Sequence, residues 1–179
     1  MKQSGATLLE LMVVLAVSAI LLGVGVPSFV ALTNGSRLTS ATNELVSSLH
    51  LARSEAIKRN SRVVMCTSAT GASCVASGGW QQGWLVFHDP NNNAVLDSGE
   101  TVIVARQAFP AGLKLNGNEW ISKYISYTPS GATRTISGVL QVGTLTLCNE
   151  IDASGNARLV IISSTGRPRT VEAVLASCP

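Results

Sequence analysis

The chain has 179 residues, of which 46% are hydrophobic and only 13% are charged. This length accommodates one terminal targeting or membrane segment and one globular domain of ordinary size, and two domains would be crowded. Its formal net charge of +3 is too small for a protein that coats nucleic acid by bulk charge, and any contact with a polyanion requires a local group of cations.

A long apolar segment lies near the N-terminus, with no charged residue over residues 11–32. About 20 consecutive apolar residues are enough to cross a bilayer as a helix, and membrane helices tolerate Pro27 better than soluble helices do. A secretory signal peptide cleaved after Ala19 is the alternative interpretation, although the acidic residue Glu10 would then lie inside its apolar region. The sequence favours a membrane-spanning stem over residues 6–32.

The acidic residue in this apolar segment needs a partner. An ionised carboxylate at the centre of a bilayer costs roughly 2.5–3.5 kcal/mol on insertion scales. A chain that keeps Glu10 there is therefore expected to place a cation beside it when the helix is in its functional environment.

The next segment, residues 36–60, has the spacing of a helix with one buried face. Ser36 is a candidate N-cap if the helix restarts after Asn34 and Gly35, although the stem helix can also continue straight through. Apolar residues recur every three or four positions. These positions are Leu38, Ala41, Leu45, Leu49, Ala52 and Ala56.

From Arg62 onward the chain consists of short runs rich in β-branched and aromatic residues, separated by Gly, Asn, Asp, Ser and Pro. This pattern is typical of antiparallel strands joined by turns. The runs are RVVMC, WLVFHD, TVIVARQA, the stretch from Tyr124 to Tyr127, GVLQVGTLTLC and RLVIISS. They predict an α+β fold in which a long N-terminal helix packs on an antiparallel β-rich domain over residues 62–179.

The segment DPNNNAVLDSGE has oxygen-bearing side chains at five positions of an EF-hand-type calcium loop. These side chains are Asp89, Asn91, Asn93, Asp97 and Glu100. The sixth position is alanine where that loop needs glycine, and the flanking segments read as strands and not as helices. The favoured interpretation is a turn whose side chains cap its own backbone. No metal is predicted, and calcium at these five residues is kept as an alternative.

Four cysteines in the β-rich part predict two disulfides in an oxidising compartment. Cys66 and Cys74 bracket a turn-rich loop of seven residues, which favours their pairing and leaves Cys148 with Cys178. There is no C-x-x-C spacing and no nearby histidine of the kind that binds zinc.

Near the C-terminus, the segment SSTGRPRTV places two arginines on either side of a proline. Proline fixes the backbone, so Arg167 and Arg169 are expected to project from a surface loop toward one polyanion. The alternative is a solvated turn whose arginines maintain solubility or pair with Glu172. Three further cations contribute only if the fold brings them close, namely Arg134, Arg158 and Lys123.

The N-terminal sequence MKQSG followed by ATLLELM resembles a type IV prepilin. The resemblance implies that prepilin peptidase cleaves after Gly5, removes residues 1–5 as a leader and methylates the new amine of Ala6. Glu10 is then the fifth mature residue. In that position it pairs with the terminal amine of a neighbouring subunit, so that each charge is neutralised only when the subunits are aligned.

Three further motifs resemble the minor pilins and pseudopilins of the GspH/FimT/FimU group. They are NELVSSLHLARSEAIKRNSRVVMC, GWLVFHDPNNNAVLDSGE and STGRPR. The resemblance implies a single-pass inner-membrane protein whose C-terminal domain, residues 33–179, lies in the periplasm. It also implies assembly with other pilins into a pilus or pseudopilus.

In FimT-type minor pilins, a G-R-x-R signature near the C-terminus is associated with DNA binding during natural transformation. Gly166, Arg167, Pro168 and Arg169 match that signature position by position. The resemblance therefore implies non-specific contact with DNA phosphates. A purely structural subunit without a DNA role is the alternative, either a FimU-like tip adaptor or an H-type pseudopilin of a type II secretion system.

The sequence has little to support catalysis. His50 lies on the predicted helix and His88 lies beside the Asn-rich turn, and neither has a nucleophile placed near it by sequence. We expect no enzymatic activity and no cofactor.

Overall fold

The structure, a computed structural model, describes residues 7–150 and 155–179. The two processing residues expected from the sequence, Gly5 and Ala6, lie outside the described residues. In chain order, the elements are α1 (Leu8–Arg59), β1 (Val63–Thr67), β2 (Trp84–His88), β3 (Val102–Arg106), β4 (Leu113–Gly117), β5 (Tyr124–Tyr127), β6 (Gly143–Asn149), β7 (Asn156–Ile162) and β8 (Pro168–Val174).

The helix α1 runs without interruption through the segment where a restart was considered. Asn34 and Gly35 are helical, so Ser36 is inside the helix and is not an N-cap. A glycine inside a helix lowers helix stability by about 1 kcal/mol relative to alanine. A helix of 52 residues remains stable despite this loss. The expected helix over residues 36–60 is therefore the second part of one longer helix.

The chain divides into two compact units, Met1–Arg37 and Leu38–Pro179. In the first unit, α1 contains a segment that is long and apolar enough, by length and composition, to cross a membrane. The side chains described there are mostly exposed leucines, valines and isoleucines. Exposure of this much apolar surface is what a lipid-facing or subunit-facing helix requires.

In the second unit, α1 packs on two antiparallel sheets. The strand orders are β3-β2-β1-β5 and β4-β6-β7-β8. All six helix positions predicted to face the core are at most 5% exposed. They contact inward-facing strand residues such as Met65, Val86, Leu145 and Val160. The predicted α+β architecture is confirmed.

Two strands were not predicted from the sequence. The strands β4 and β8 form the two edges of the second sheet. The strand β8 begins with Pro168 and contains the polar residues Arg169, Thr170 and Glu172, which weakens its strand signal. Proline is accepted at the first position of an edge strand because no ladder hydrogen bond is lost there.

The outer face of the first sheet carries a second, smaller apolar cluster. Val64, Cys66, Leu85 and Phe87 are buried in it, and the loop after β2 covers them with Ala94 and Leu96. Two disulfides link Cys66 to Cys74 and Cys148 to Cys178, which are the two pairs expected from the sequence.

Candidate functional site

The GRPR segment lies at the hairpin that joins β7 to β8. The N–H of Gly166 donates to the carbonyl oxygen of Ser163 at 2.8 Å, which closes a tight turn before β8 begins. Arg167 lies on this turn. Arg169 lies in β8, opposite Ile161, so the expectation that both arginines project from one loop is wrong.

Gly166 is buried in this turn and has a φ of +73°. Most residues avoid such a backbone conformation. A Cβ atom at this position would overlap the carbonyl oxygen of Gly131 and lie 3.0 Å from the ring of Tyr127. The glycine therefore lets the turn lie directly on the neighbouring loop.

Three arginines from three separate segments line an open cleft of about 440 Å³ beside this turn. They are Arg53 of α1, Arg134 of the loop after β5, and Arg167. Three hydroxyl side chains complete the polar part of its wall, namely Ser130, Ser164 and Thr165. Among residues 7–150 and 155–179, no carboxylate lies within ion-pair distance of these three arginines. The cleft is therefore a concentration of uncompensated positive charge.

Backbone carbonyl groups hold two of these arginines in place. The Nε of Arg53 donates to the carbonyl oxygen of Gly131 at 2.9 Å. The Nη1 of Arg134 donates to the carbonyl oxygen of Gly138 at 2.8 Å. A guanidinium group that is already positioned loses less conformational entropy when it binds an anion.

A fourth arginine, Arg62, contacts the backbone of Arg134. Arg62 donates to Ser126 Oγ at 3.0 Å and to the carbonyl oxygen of Arg134 at 3.2 Å. Burial lowers the pKa of Arg62, the nearby Asp89 carboxylate raises it, and Arg134 lowers it. Because an unperturbed guanidinium titrates far above neutral pH, Arg62 stays charged.

The ring of Tyr127 lies beside Gly166 of this turn. The residue is fully buried, and burial raises its pKa well above the usual value. Its hydroxyl has no hydrogen-bond partner in the part of the chain that the structure describes. The group is therefore a neutral, desolvated phenol at physiological pH.

Arg158 is engaged elsewhere. Its Nη1 lies 2.5 Å from Oε1 of Glu172, its partner across β7 and β8. Glu172 thus pairs with Arg158, and not with Arg167 or Arg169 as the sequence alternative proposed. Neither Arg158 nor Arg169 lines the cleft.

Sequence reasoning missed Arg53. It lies next to Ala52 in the periodic helical segment, where an arginine reads as an ordinary solvent-facing residue. Its contact with Gly131 joins residues 78 positions apart, and no local pattern signals such a contact.

Two family models match the chain. Residues 41–166 match the model described as "Type II transport protein GspH", and residues 1–26 match "Prokaryotic N-terminal methylation motif". The chain belongs to the GspH family. The resemblance to type IV minor pilins of the GspH/FimT/FimU group is therefore confirmed.

A curated relative is similar to part of the chain, and two solved structures share its fold. The GspH-family chain is 36% identical over 100 residues to "Pilin-like protein PilA1" of Thermus thermophilus, and the match covers 56% of this chain. It spans 57% of the length of that relative. Two crystal structures of the Pseudomonas aeruginosa type IV minor pilin FimU have the same fold. In space group P21 the TM-score is 0.60, with 22% identity over 83% of this chain and 99% of that one. In space group P65 the TM-score is 0.55, with 19% identity, and the match covers 79% of this chain and 100% of the FimU chain.

The first turn of α1 gives Glu10 a local partner in the GspH-family subunit. The backbone N–H of Thr7 donates to Glu10 Oε2 at 3.3 Å, and the N–H of Glu10 donates to Thr7 Oγ1 at 3.2 Å. This reciprocal pair is a capping box, which satisfies two N–H groups at the helix start. Thr7 was not identified from the sequence, although the T-x-x-E spacing signals it.

The Asn-rich loop of this GspH-family protein closes on itself. Asp97 Oδ2 accepts hydrogen bonds from the side-chain amides of Asn91 and Asn93, each at 2.7 Å, and these bonds lower the pKa of Asp97. The Asp89 carboxylate accepts the backbone N–H of Asn93 at 3.2 Å, and Glu100 Oε2 accepts that of Asp97 at 3.0 Å. The oxygens considered as calcium ligands thus cap the loop's own backbone and side chains.

Proposed function

We propose that this minor pilin binds DNA non-specifically at the arginine cleft and acts in DNA uptake during natural transformation. The observation that carries the proposal is the approach of Arg167 and Arg134 to one cleft with no carboxylate paired to either among the described residues. Guanidinium groups suit phosphate because their planar donors match its oxygens. Contacts to phosphates give affinity without reading the base sequence.

The signature residues have different roles in this proposal. Arg167 contacts phosphate directly, and Gly166 allows its turn to lie on the neighbouring loop. Arg169 extends the basic surface along β8, two residues further on. Arg158, which is not a signature residue, has no part in this binding, because it does not line the cleft and its charge is offset by Glu172.

The family and the methylation motif support association with other pilins, processing by prepilin peptidase and anchoring in a membrane. We further propose the division expected from the sequence: a leader over residues 1–5, an assembly helix over residues 6–32 and an exported domain over residues 33–179. In this arrangement the exported domain lies in the periplasm before assembly, Ala6 carries the methylated amine, and Glu10 aligns neighbouring subunits. We propose no catalytic role.

A purely structural role is the second candidate. The match to "Type II transport protein GspH" and the FimU-like fold favour it, because neither name refers to nucleic acid. In that case the protein is a filament subunit of a pilus or a secretion pseudopilus, and the arginine cleft contacts another subunit.

DNA binding by the full-length chain in non-ionic detergent distinguishes the two candidates. We expect two duplexes of unrelated sequence to bind equally well, and binding to weaken steeply between roughly 50 and 200 mM salt. The variant Arg167→Ala with Arg169→Ala should lose most of this binding while it keeps both disulfides and its thermal unfolding midpoint. Absence of binding at the lowest salt would reject the DNA function and leave the structural role.

A further inference from the structure

Arg53 differs from an ordinary surface arginine of a helix. Its side chain is partly buried, and its Nε donates to the carbonyl oxygen of Gly131 at 2.9 Å. Within the described residues, its two terminal nitrogens form no hydrogen bond and no ion pair, and the residue lines the cleft. One donor thus fixes the guanidinium group, and the other donors remain for a ligand.

The Gly131 peptide group positions both Arg53 and the signature turn. A Cβ atom at Gly131 would lie 3.1 Å from Arg53 Nε and 2.9 Å from Ile57 Cδ1, so only glycine admits this approach without a shift. The same carbonyl oxygen is the atom against which Gly166 packs. The helix arginine and the turn that carries Arg167 therefore both contact a single peptide group.

We propose that Arg53 is a further phosphate-binding residue, which acts with Arg134 and Arg167 on one stretch of a DNA backbone. The inference rests on the proposed DNA-binding function and extends it to a residue outside the C-terminal signature. Three guanidinium groups from three segments face one cleft, and hydroxyl side chains between them supply further donors. Such a set suits the successive charged oxygens of a phosphodiester chain.

The test uses the full-length chain in detergent and fluorescently labelled duplexes of two unrelated sequences, with binding measured by anisotropy across a salt series. Arg53→Gln removes the charge, whereas Arg53→Lys keeps a charge but loses the planar Nε contact with Gly131. Arg158→Gln is the matched control, because it removes one positive charge that Glu172 already offsets outside the cleft. Arg167→Ala with Arg169→Ala reports on the proposed function itself.

We expect Arg53→Gln to weaken binding about three- to tenfold at low salt and to reduce the salt slope by about one. Arg53→Lys should bind clearly more tightly than Arg53→Gln, because charge near phosphate is retained. The DNA affinity of Arg158→Gln should stay within about twofold of that of the parent, since loss of the Arg158 charge leaves the cleft intact. All three variants should form both disulfides.

Each other result has a definite meaning. If the parent does not bind DNA, the proposed function fails and this inference fails with it. If the parent binds and the Arg167 and Arg169 variant does not, while Arg53→Gln binds like the parent, only the role of Arg53 is rejected. Equal losses in Arg53→Gln and Arg158→Gln would indicate bulk charge and reject it too. Equal losses in Arg53→Gln and Arg53→Lys, with lower thermal stability, would show that Arg53 only supports the loop.

Discussion

Gly166 packs against the carbonyl oxygen of Gly131 so closely that a methyl group at position 166 would overlap it. The contact joins the turn between β7 and β8 to the loop after β5. The Gly131 carbonyl oxygen of that loop also accepts a hydrogen bond from the Nε of Arg53. The glycine of the G-R-x-R signature therefore has a structural role, which is separate from the charge of the arginines. Loss of this contact should displace the whole turn.

Gly166→Ala should destabilise the domain by about 2 kcal/mol or more. Alanine at a positive φ costs about 1 kcal/mol, and relief of the overlap with Gly131 adds to it. Gly138→Ala is the matched control, because Gly138 has a φ of +86° with nothing within 4 Å of the added Cβ. Chemical denaturation of both variants measures the difference. If the two lose equal stability, the contact with Gly131 contributes nothing.

Tyr127→Phe should leave the free energy of unfolding unchanged or raise it by up to about 1 kcal/mol. The Tyr127 hydroxyl is buried without a hydrogen-bond partner among the described residues, so its removal relieves a desolvation penalty. The comparison variant is Thr133→Val. The buried hydroxyl of Thr133 donates to the carbonyl oxygen of Gln141 at 2.6 Å. We expect Thr133→Val to lower the free energy of unfolding by about 1–2 kcal/mol.

Thermal and urea unfolding of the Tyr127 and Thr133 variants provide the measurement. A clear loss of stability in Tyr127→Phe would mean that the hydroxyl has a partner in solution, such as an ordered water molecule. In that case the surroundings of the Tyr127 hydroxyl are more polar than the structure indicates.

Stability should depend on pH through Asp97. The amides of Asn91 and Asn93 hold its folded-state pKa below the usual value for an aspartate. A carboxyl group with a lowered pKa adds stability above its unfolded-state pKa, and that stability is lost as the pH falls through the folded-state pKa. Asp97→Asn should therefore flatten the decline in stability below about pH 4, because the titrating group is absent.

Denaturation midpoints measured from neutral to acidic pH test this dependence on Asp97. The hydrogen bond from Arg59 likewise lowers the pKa of Glu55. Glu55→Gln therefore serves as a comparison on a separate element. If the Asp97→Asn profile superimposes on that of the parent, the Asn-rich loop does not hold the carboxylate in solution.

Local pattern was sufficient for most of the architecture. The apolar spacing from Leu38 to Ala56 predicted the buried face of α1, because residues three and four apart share one side of a helix. Runs of β-branched residues predicted the central strands, whose side chains are buried on both faces of the first sheet. The strands β4 and β8 escaped prediction because edge strands carry polar residues and, in β8, a leading proline.

The sequence by itself determined the family, the processing motif, the helix and the Cys66–Cys74 pair, since each depends on residues close together or on a motif of defined spacing, and Cys148 was left to pair with Cys178. Only the tertiary structure decided which arginines meet. The β7–β8 register pairs Arg158 with Glu172, and the Gly131 carbonyl holds Arg53 beside the turn that carries Arg167. These contacts join distant segments, and their geometry follows from the packing of the sheets on α1, which no local spacing encodes.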